Sequence, residues 1–483
     1  MKIAIIGGGI AGLSSAYYLN KLALERGEDL EITLFESADY WGGKIKTILE
    51  DGFVVEGGPD AYLVTKPWMR ALARELSLAD DLQGTNPDLS ETFILHRGKL
   101  TSIPTGLTMT IPTEFAPMIK SRLLTWPQKF RMGFDFIIPP KKKNGDESLA
   151  GFISRRLGRA AYERLVGPLL SGIYAGDGDR LSLQSTFPNL REMELEHGGL
   201  VKGALALRSQ RAAMAKQRAG ANGKAPSRSI FESPKSGLVS IVNAIVARLR
   251  SAGVDLRLNT PVTVMEPAGA GYRLQLHDGS TLEVDKVVLA APAYAAGQLV
   301  ANFAPQLAGE LDQIEYVTTA TVSLAYPKED LPEKLNGYGY IIPQNEDSKA
   351  LACTWTSSKW LGRAPEAYAL LRVFVGRIQD AHALPEDESA LAAMAREELR
   401  KTMGITSSPA AEWVFRWEKA MPQYNVGHPE RLQRIQAMMA DLPAVALAGN
   451  AYKGIGMPDC ILSGIEAAEK LLANPHKEKA DEI

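Results

Sequence analysis

Lys2-Ile3-Ala4-Ile5-Ile6 runs straight into Gly7-Gly8-Gly9-Ile10-Ala11-Gly12, and this junction decides the fold. The apolar run reads as a buried strand. Glycines at this spacing let the chain turn tightly, bring backbone N–H groups against a pyrophosphate, and pack the following helix on the strand. That helix is predicted over Leu13 to Leu24, with its N-terminal dipole offered to phosphate charge. Glycine turns alone are common, so the context has to agree. It does: a second apolar strand, Glu31 to Phe35, ends in Glu36, an acid at the distance expected for hydrogen bonding an adenosine ribose.

Beyond Glu36 come Gly42-Gly43-Lys44, where glycines permit close backbone approach and the lysine offsets phosphate charge. Phe53 to Glu56 reads as a short strand that opens into the turn Gly57-Gly58-Pro59. About 440 residues from the start, Val445 to Asn450 and Gly454-Ile455-Gly456-Met457-Pro458-Asp459 repeat the strand, glycine loop and helix order, with a helix predicted over Ile461 to Leu472. Two helix N-termini then serve one extended cofactor. The first holds a pyrophosphate; the second, with Pro458 in its first turn, faces the ring that accepts electrons.

A chain of 483 residues suggests two or three domains. The expected class is α/β: a Rossmann-like unit from 1–60, 228–295 and 440–483, a mixed-sheet substrate domain from 61–90, 206–227 and 296–439, and an inserted helical subdomain over 91–205. In that insertion, Phe115 to Ile138 interleaves Trp126, Phe130, Phe134 and Phe136 with Lys120, Arg122, Lys129 and Arg131. Such a segment lies on a membrane surface or forms a core-facing amphipathic pair. Arg208 to Arg228, free of acids, reads as a mobile basic loop.

Net charge of -2 gives no reason to expect nucleic acid. Cys353 and Cys460 stand far apart without metal-ligand spacing, so no disulfide framework or zinc site is expected and a reducing, cytoplasmic setting fits. No apolar run approaches the roughly 20 residues of a membrane span, which limits any membrane contact to the periphery.

Taken together, Gly7 to Gly12, Glu36, Gly42-Gly43-Lys44, Ser236-Gly237-Leu238 and Gly454-Ile455-Gly456-Met457 resemble the flavin-dependent oxidase superfamily of amine oxidases, phytoene desaturases and protoporphyrinogen oxidases. The resemblance implies FAD, held by Gly7, Gly9, Ile10, Ala11, Gly12, Glu36, Gly42, Gly43, Lys44, Val262, Asn450, Gly456 and Met457. Gly57 to Leu63, Leu169 to Asp177, Cys353-Thr354-Trp355-Thr356 and Met421-Pro422-Gln423-Tyr424 narrow it to porphyrinogen oxidases, and to a bacterial branch that favours coproporphyrinogen III. Two positions depart from the pattern. Asn450 replaces an aspartate that holds the ribityl-phosphate region, and Phe374 stands where a related enzyme has tyrosine.

The implied reaction passes hydride from a porphyrinogen to flavin N5, with charge at N1 and C2=O met by backbone N–H groups near Met457, and molecular oxygen restores the flavin with release of peroxide. No residue stands out as a general base; the six histidines are scattered. A flat apolar slot with cations at its rim suits a tetrapyrrole bearing propionates. Lys66 is the expected carboxylate partner, or else an ordinary exposed lysine. Gly172 and Ile173 border the slot and Phe374 stacks there, with core packing as the rival reading for all three. Protoporphyrinogen IX is the alternative substrate, and an amine oxidase or a non-catalytic carrier is the more distant alternative. A ferrochelatase would take the product in a transient contact.

Overall fold

Ile3, Ala4 and Ile5 have no exposed surface, which a strand reaches only with partners on both edges and cover on both faces. The computed structural model describes residues 1–104, 107–108, 111–112, 114–141, 145–219, 229–376 and 384–473. Two large sheets draw strands from the whole chain. They are β1 (Lys2–Ile6), β2 (Glu31–Phe35), β3 (Phe93–His96), β4 (Lys99–Ser102), β5 (Asp255–Arg257), β6 (Lys286–Leu289), β7 (Tyr316–Pro327), β8 (Gly339–Ile341), β9 (Ala350–Trp355), β10 (Tyr368–Val375), β11 (Ala411–Pro422) and β12 (Val445–Leu447).

The first sheet is parallel throughout, in the order β5-β2-β1-β6-β12, with Ile5 between Leu34 and Val288. The Rossmann-like unit is therefore present and is closed by the far end of the chain. The last helix, Met457–Leu472, crosses the first, Ile10–Arg26. A Cβ on Gly464 would stand 2.6 Å from the Ala11 carbonyl oxygen, so the crossing tolerates only glycine there. Ile10, Leu13 and Ala16 share one buried cluster with Met457, Cys460 and Ile461.

The second sheet runs β11-β7-β10-β9-β8-β3-β4. Its edge hairpin, β3 and β4, differs from the helical reading of the chain from Glu91. Phe93 and Ile94 pair in parallel with Tyr340 and Ile341, and this long-range pairing draws the segment into the sheet before helices begin at Phe115.

The helical region packs Met118, Leu124 and Met132 against Phe152, Ile153, Leu190 and Leu200. Buried Arg156 pins it together: Nε donates to Asp135 Oδ1 at 2.6 Å, and Nη1 and Nη2 donate to the carbonyls of Ile138, Asp135 and Gly198 at 2.8 to 3.0 Å. Asp135 Oδ2 accepts from the Val201 N–H at 2.8 Å. Trp126, Phe130 and Ile137 point outward at 69, 74 and 72 % exposure. The core-facing reading of Phe115 to Ile138 therefore fails for these three side chains. The basic loop expected from Arg208 is also corrected, because one helix continues from Leu200 to Ala219; 220–228 lie outside the described residues. Among the described residues, no helix is long and apolar enough to cross a membrane.

Candidate active site

Where β1 ends, the glycines are demanded by different neighbours. Gly7 has φ +112°, and a Cβ there would meet the Ala290 carbonyl oxygen at 2.7 Å. A Cβ on Gly12 would stand 1.9 Å from the Gly7 oxygen, so this glycine seats the helix on the turn. A Cβ on Gly9 would meet nothing within 4 Å. Gly9 is the N-cap of the first helix and supplies no side-chain cap, which leaves the N–H groups of the first turn, from Ile10 to Gly12, free for an anion. Gly42 donates its N–H to the Gly8 oxygen at 2.9 Å, bringing the Gly42-Gly43 loop alongside.

Glu36 closes the other side of this gap. Its Oε2 accepts from the Gly8 N–H at 2.7 Å and its Oε1 from the Ala38 N–H at 2.8 Å. Oε1 also accepts from the Ser37 hydroxyl at 3.1 Å, so it is Oε2 that keeps a lone pair for a ligand hydroxyl. The Thr260 N–H donates to the Glu36 carbonyl at 2.9 Å. That bond brings Val262 beside the same strand end, at the start of the strand Val262–Ala268 in a small antiparallel sheet.

Lys44 lies in the crevice, and desolvation pushes its ammonium down to about 8. It has no acidic partner among the described residues, which suits a bound negative group. A Cβ on Gly58 would meet the Lys44 oxygen at 1.8 Å, so the Gly57-Gly58 turn lies directly on this segment. The second sheet grips the turn from the opposite side. The Gly57 oxygen accepts from Thr321 Oγ1 at 2.7 Å, Trp417 Nε1 at 2.9 Å and Arg372 Nη2 at 3.1 Å.

The terminal glycine loop completes the arrangement. The Gly449 N–H donates to Ser463 Oγ at 3.0 Å, and Tyr424 donates its hydroxyl to the Asn450 carbonyl at 2.6 Å. The backbone of Asn450 is thus fixed by protein. Gly456 caps the last helix without a side-chain acceptor, and Met457 opens it. Burial pushes Cys460 up to about 12, so it is a neutral thiol.

Lys66 reaches this helix start too, but its Nζ is held by both oxygens of Asp459 at 2.6 Å. Gly172 and Ile173 belong to the helix Gly167–Tyr174, with Ile173 51 % exposed. A cavity of about 220 Å³ follows that helix, lined by Arg159, Tyr162, Pro168, Gly176, Ile342 and Leu351 among others. It is smaller than the roughly 300 Å³ at the lower end of ordinary ligand sites. Phe374 is not in its lining; it sits on β10 with the Arg372 guanidinium 4.7 Å from its ring centre. Sequence reading passed over Arg372, although a lone cation in the apolar run Ala369 to Val375 was a usable signal.

Residues 10–472 match the pattern of a family described as flavin containing amine oxidoreductase. The chain belongs to this family. It is a flavin-dependent oxidoreductase with FAD as cofactor, and the residues fit that group: two helix N-termini without a side-chain cap, the open space at Gly9, the spare lone pair of Glu36 Oε2 and Lys44, which has no acidic partner among the described residues. Among members of the family, it is 36 % identical to coproporphyrinogen III oxidase of Bacillus subtilis, covering 97 % of each chain. Against the protoporphyrinogen oxidase of Nicotiana tabacum chloroplasts, identity is 28 % over 98 % of this chain and 85 % of the other. A solved putative protoporphyrinogen oxidase from Exiguobacterium superposes with TM-score 0.84 at 32 % identity, covering 97 % of this chain and 98 % of that one. Cyclohexylamine oxidase of Brevibacterium oxydans, with TM-score 0.67 at 16 % identity and coverage of 97 % and 98 %, shares the fold.

Proposed function

We propose that this chain oxidises coproporphyrinogen III to coproporphyrin III, removing six hydrogens while three oxygen molecules become three molecules of hydrogen peroxide. The observation that carries the reading is full-length similarity, at 36 and 35 % identity, to two bacterial enzymes of that name. FAD, when bound, accepts hydride and returns electrons to oxygen.

The chain's own residues hold and orient. Gly7, Gly9, Ile10, Ala11 and Gly12 receive the pyrophosphate, Glu36 the ribose, Gly42, Gly43 and Lys44 the phosphate side, and Val262 the adenine region. Asn450 and Gly456 flank the ribityl chain, and the Met457 N–H meets negative charge at the end of the ring system. Gly172, Ile173 and Phe374 border the macrocycle. Lys66 reaches a propionate only by leaving Asp459, which puts it at the rim and not at a fixed contact. The Rossmann-like unit binds cofactor, the second sheet forms the floor of the slot, and the helical region covers it.

Exposed Trp126, Phe130 and Ile137 beside Lys120 and Arg122 support peripheral contact with an anionic membrane face. A ferrochelatase receiving the porphyrin in a transient contact belongs to the same proposal. The decisive assay compares coproporphyrinogen III with protoporphyrinogen IX, following oxygen uptake and porphyrin emission. Higher kcat/KM for the tetra-acid is expected. Preference for protoporphyrinogen would move the assignment to the tobacco-type activity, and peroxide produced only from amines would discard both.

A further inference from the structure

Arg372 is 2 % exposed at the middle of β10. Its Nη2 donates to the carbonyl oxygens of Gly57 and Gly58. Its Nε and Nη1 are buried without any hydrogen-bond partner. Among the described residues no carboxylate forms an ion pair with it, although Asp60 and Glu56 lie near enough to act on its charge. Asp60 is taken by Lys359 Nζ at 3.1 Å and Trp360 Nε1 at 3.2 Å. Glu56 is taken by Thr47 Oγ1 at 2.7 Å, the Leu238 N–H at 2.8 Å and Arg363.

A buried guanidinium does not shed its proton to escape this cost. Unpaired buried N–H groups add to it, and such groups persist where something outside the folded chain completes them. Position says what that is. Arg372 and Phe374, two residues apart on one strand, share a face, and the half-buried ring covers the guanidinium at 4.7 Å. On its other side stands the Gly57-Gly58 turn that rests on Lys44. The cation therefore lies between the cofactor turn and the aromatic floor of the slot, while the nearer-to-surface cation, Lys66, is already neutralised by Asp459.

We propose that Arg372 anchors a carboxylate of the substrate, its idle Nε–H and Nη1–H groups meeting the carboxylate once the Phe374 ring turns aside. The inference rests on the porphyrinogen reading above and adds a specificity-determining residue to it. A neutral macrocycle would gain no charge pairing from the same N–H groups.

The test uses FAD-loaded protein and the stable product. Binding of coproporphyrin III and of its neutral tetramethyl ester is measured by porphyrin emission in one buffer for wild type, Arg372→Gln and Arg372→Lys. Loss of a charge-assisted bond predicts at least a tenfold rise in Kd for the acid in Arg372→Gln, less than twofold for the ester, and partial recovery of acid binding in Arg372→Lys. Equal weakening of acid and ester would mean a structural role, and the proposal falls. An altered flavin spectrum with an unchanged acid-to-ester ratio would assign the cation to the cofactor, and the proposal falls again. If Arg372→Gln does not fold, Arg372→Lys decides alone: the fork is lost, so the ratio must still drop, and an unchanged ratio overturns the inference. Wild-type turnover of coproporphyrinogen III is checked first; its absence would sink the functional reading and this inference with it, a result distinct from the others.

Discussion

Gly9→Ala separates cofactor binding from folding. Gly9 has φ -68° and ψ 175°, extended backbone that alanine adopts freely. The new methyl meets no protein atom within 4 Å. Two small terms act on the apoprotein. Alanine reduces the freedom of the unfolded chain, stabilising by about 0.4–1 kcal/mol, and it is a poorer N-cap than glycine by a similar amount. They nearly cancel, so the melting temperature without FAD is expected to stay put.

FAD is affected differently, because the methyl would occupy the open space beside Gly9 that the proposed function gives to the pyrophosphate. Losing one charge-assisted bond to phosphate costs about 1.5–3 kcal/mol, and at 1.4 kcal/mol per decade the Kd for FAD rises roughly tenfold to 150-fold. Quenching of flavin fluorescence on titration into apoprotein measures it. Gly12→Ala is the contrast: its Cβ would sit 1.9 Å from the Gly7 oxygen, the helix must retreat, and the apoprotein itself loses about 1–3 kcal/mol. Wild-type FAD affinity in Gly9→Ala, or a clear drop in its apoprotein melting temperature, would refute the assignment of that gap to phosphate.

Two further outcomes follow from named groups. Lys44, at about 8 before FAD binds, is cationic below that pH and neutral above it; a cation favours an anionic ligand, so FAD affinity is expected to fall as pH rises through 8, and Lys44→Met to bind weakly with that step absent. Fluorescence titration between pH 6.5 and 9.5 checks this. Arg156→Met leaves Asp135 buried and unpaired, and loss of about 3–5 kcal/mol should show as a lowered urea midpoint, with Arg156→Lys recovering only part.

The cofactor half of the molecule was legible because its constraints are local. A tight turn, a helix N-terminus and an acid ending the next strand all lie within Lys2 to Glu36, and each acts through backbone geometry that residue type announces. The far partner was legible because Gly454 to Asp459 repeats the same order. Segment boundaries fared worse where pairing overrode composition: β3 reads poorly as a strand until Tyr340 and Ile341 lie beside it. The acid-free stretch from Arg208 is rich in alanine as well as polar residues, and helix propensity carries it to Ala219 where a loop was expected.

The half built on the second sheet was less legible because its contacts join residues hundreds of positions apart. The Gly57 carbonyl gathers donors from Thr321, Arg372 and Trp417, on three adjacent strands of a sheet whose order no single spacing reveals. The same geometry explains why Lys66 looked free. It follows a turn that points it toward solvent, and its neutralising acid lies 393 positions away on the last helix. An acid at that helix start also opposes the build-up of negative charge there, and Lys66 offsets it. Holding Asp459 in check is therefore what Lys66 does in this structure; under the proposed function a propionate would have to compete with that bond, whereas at Arg372 it would have to displace the face of the Phe374 ring.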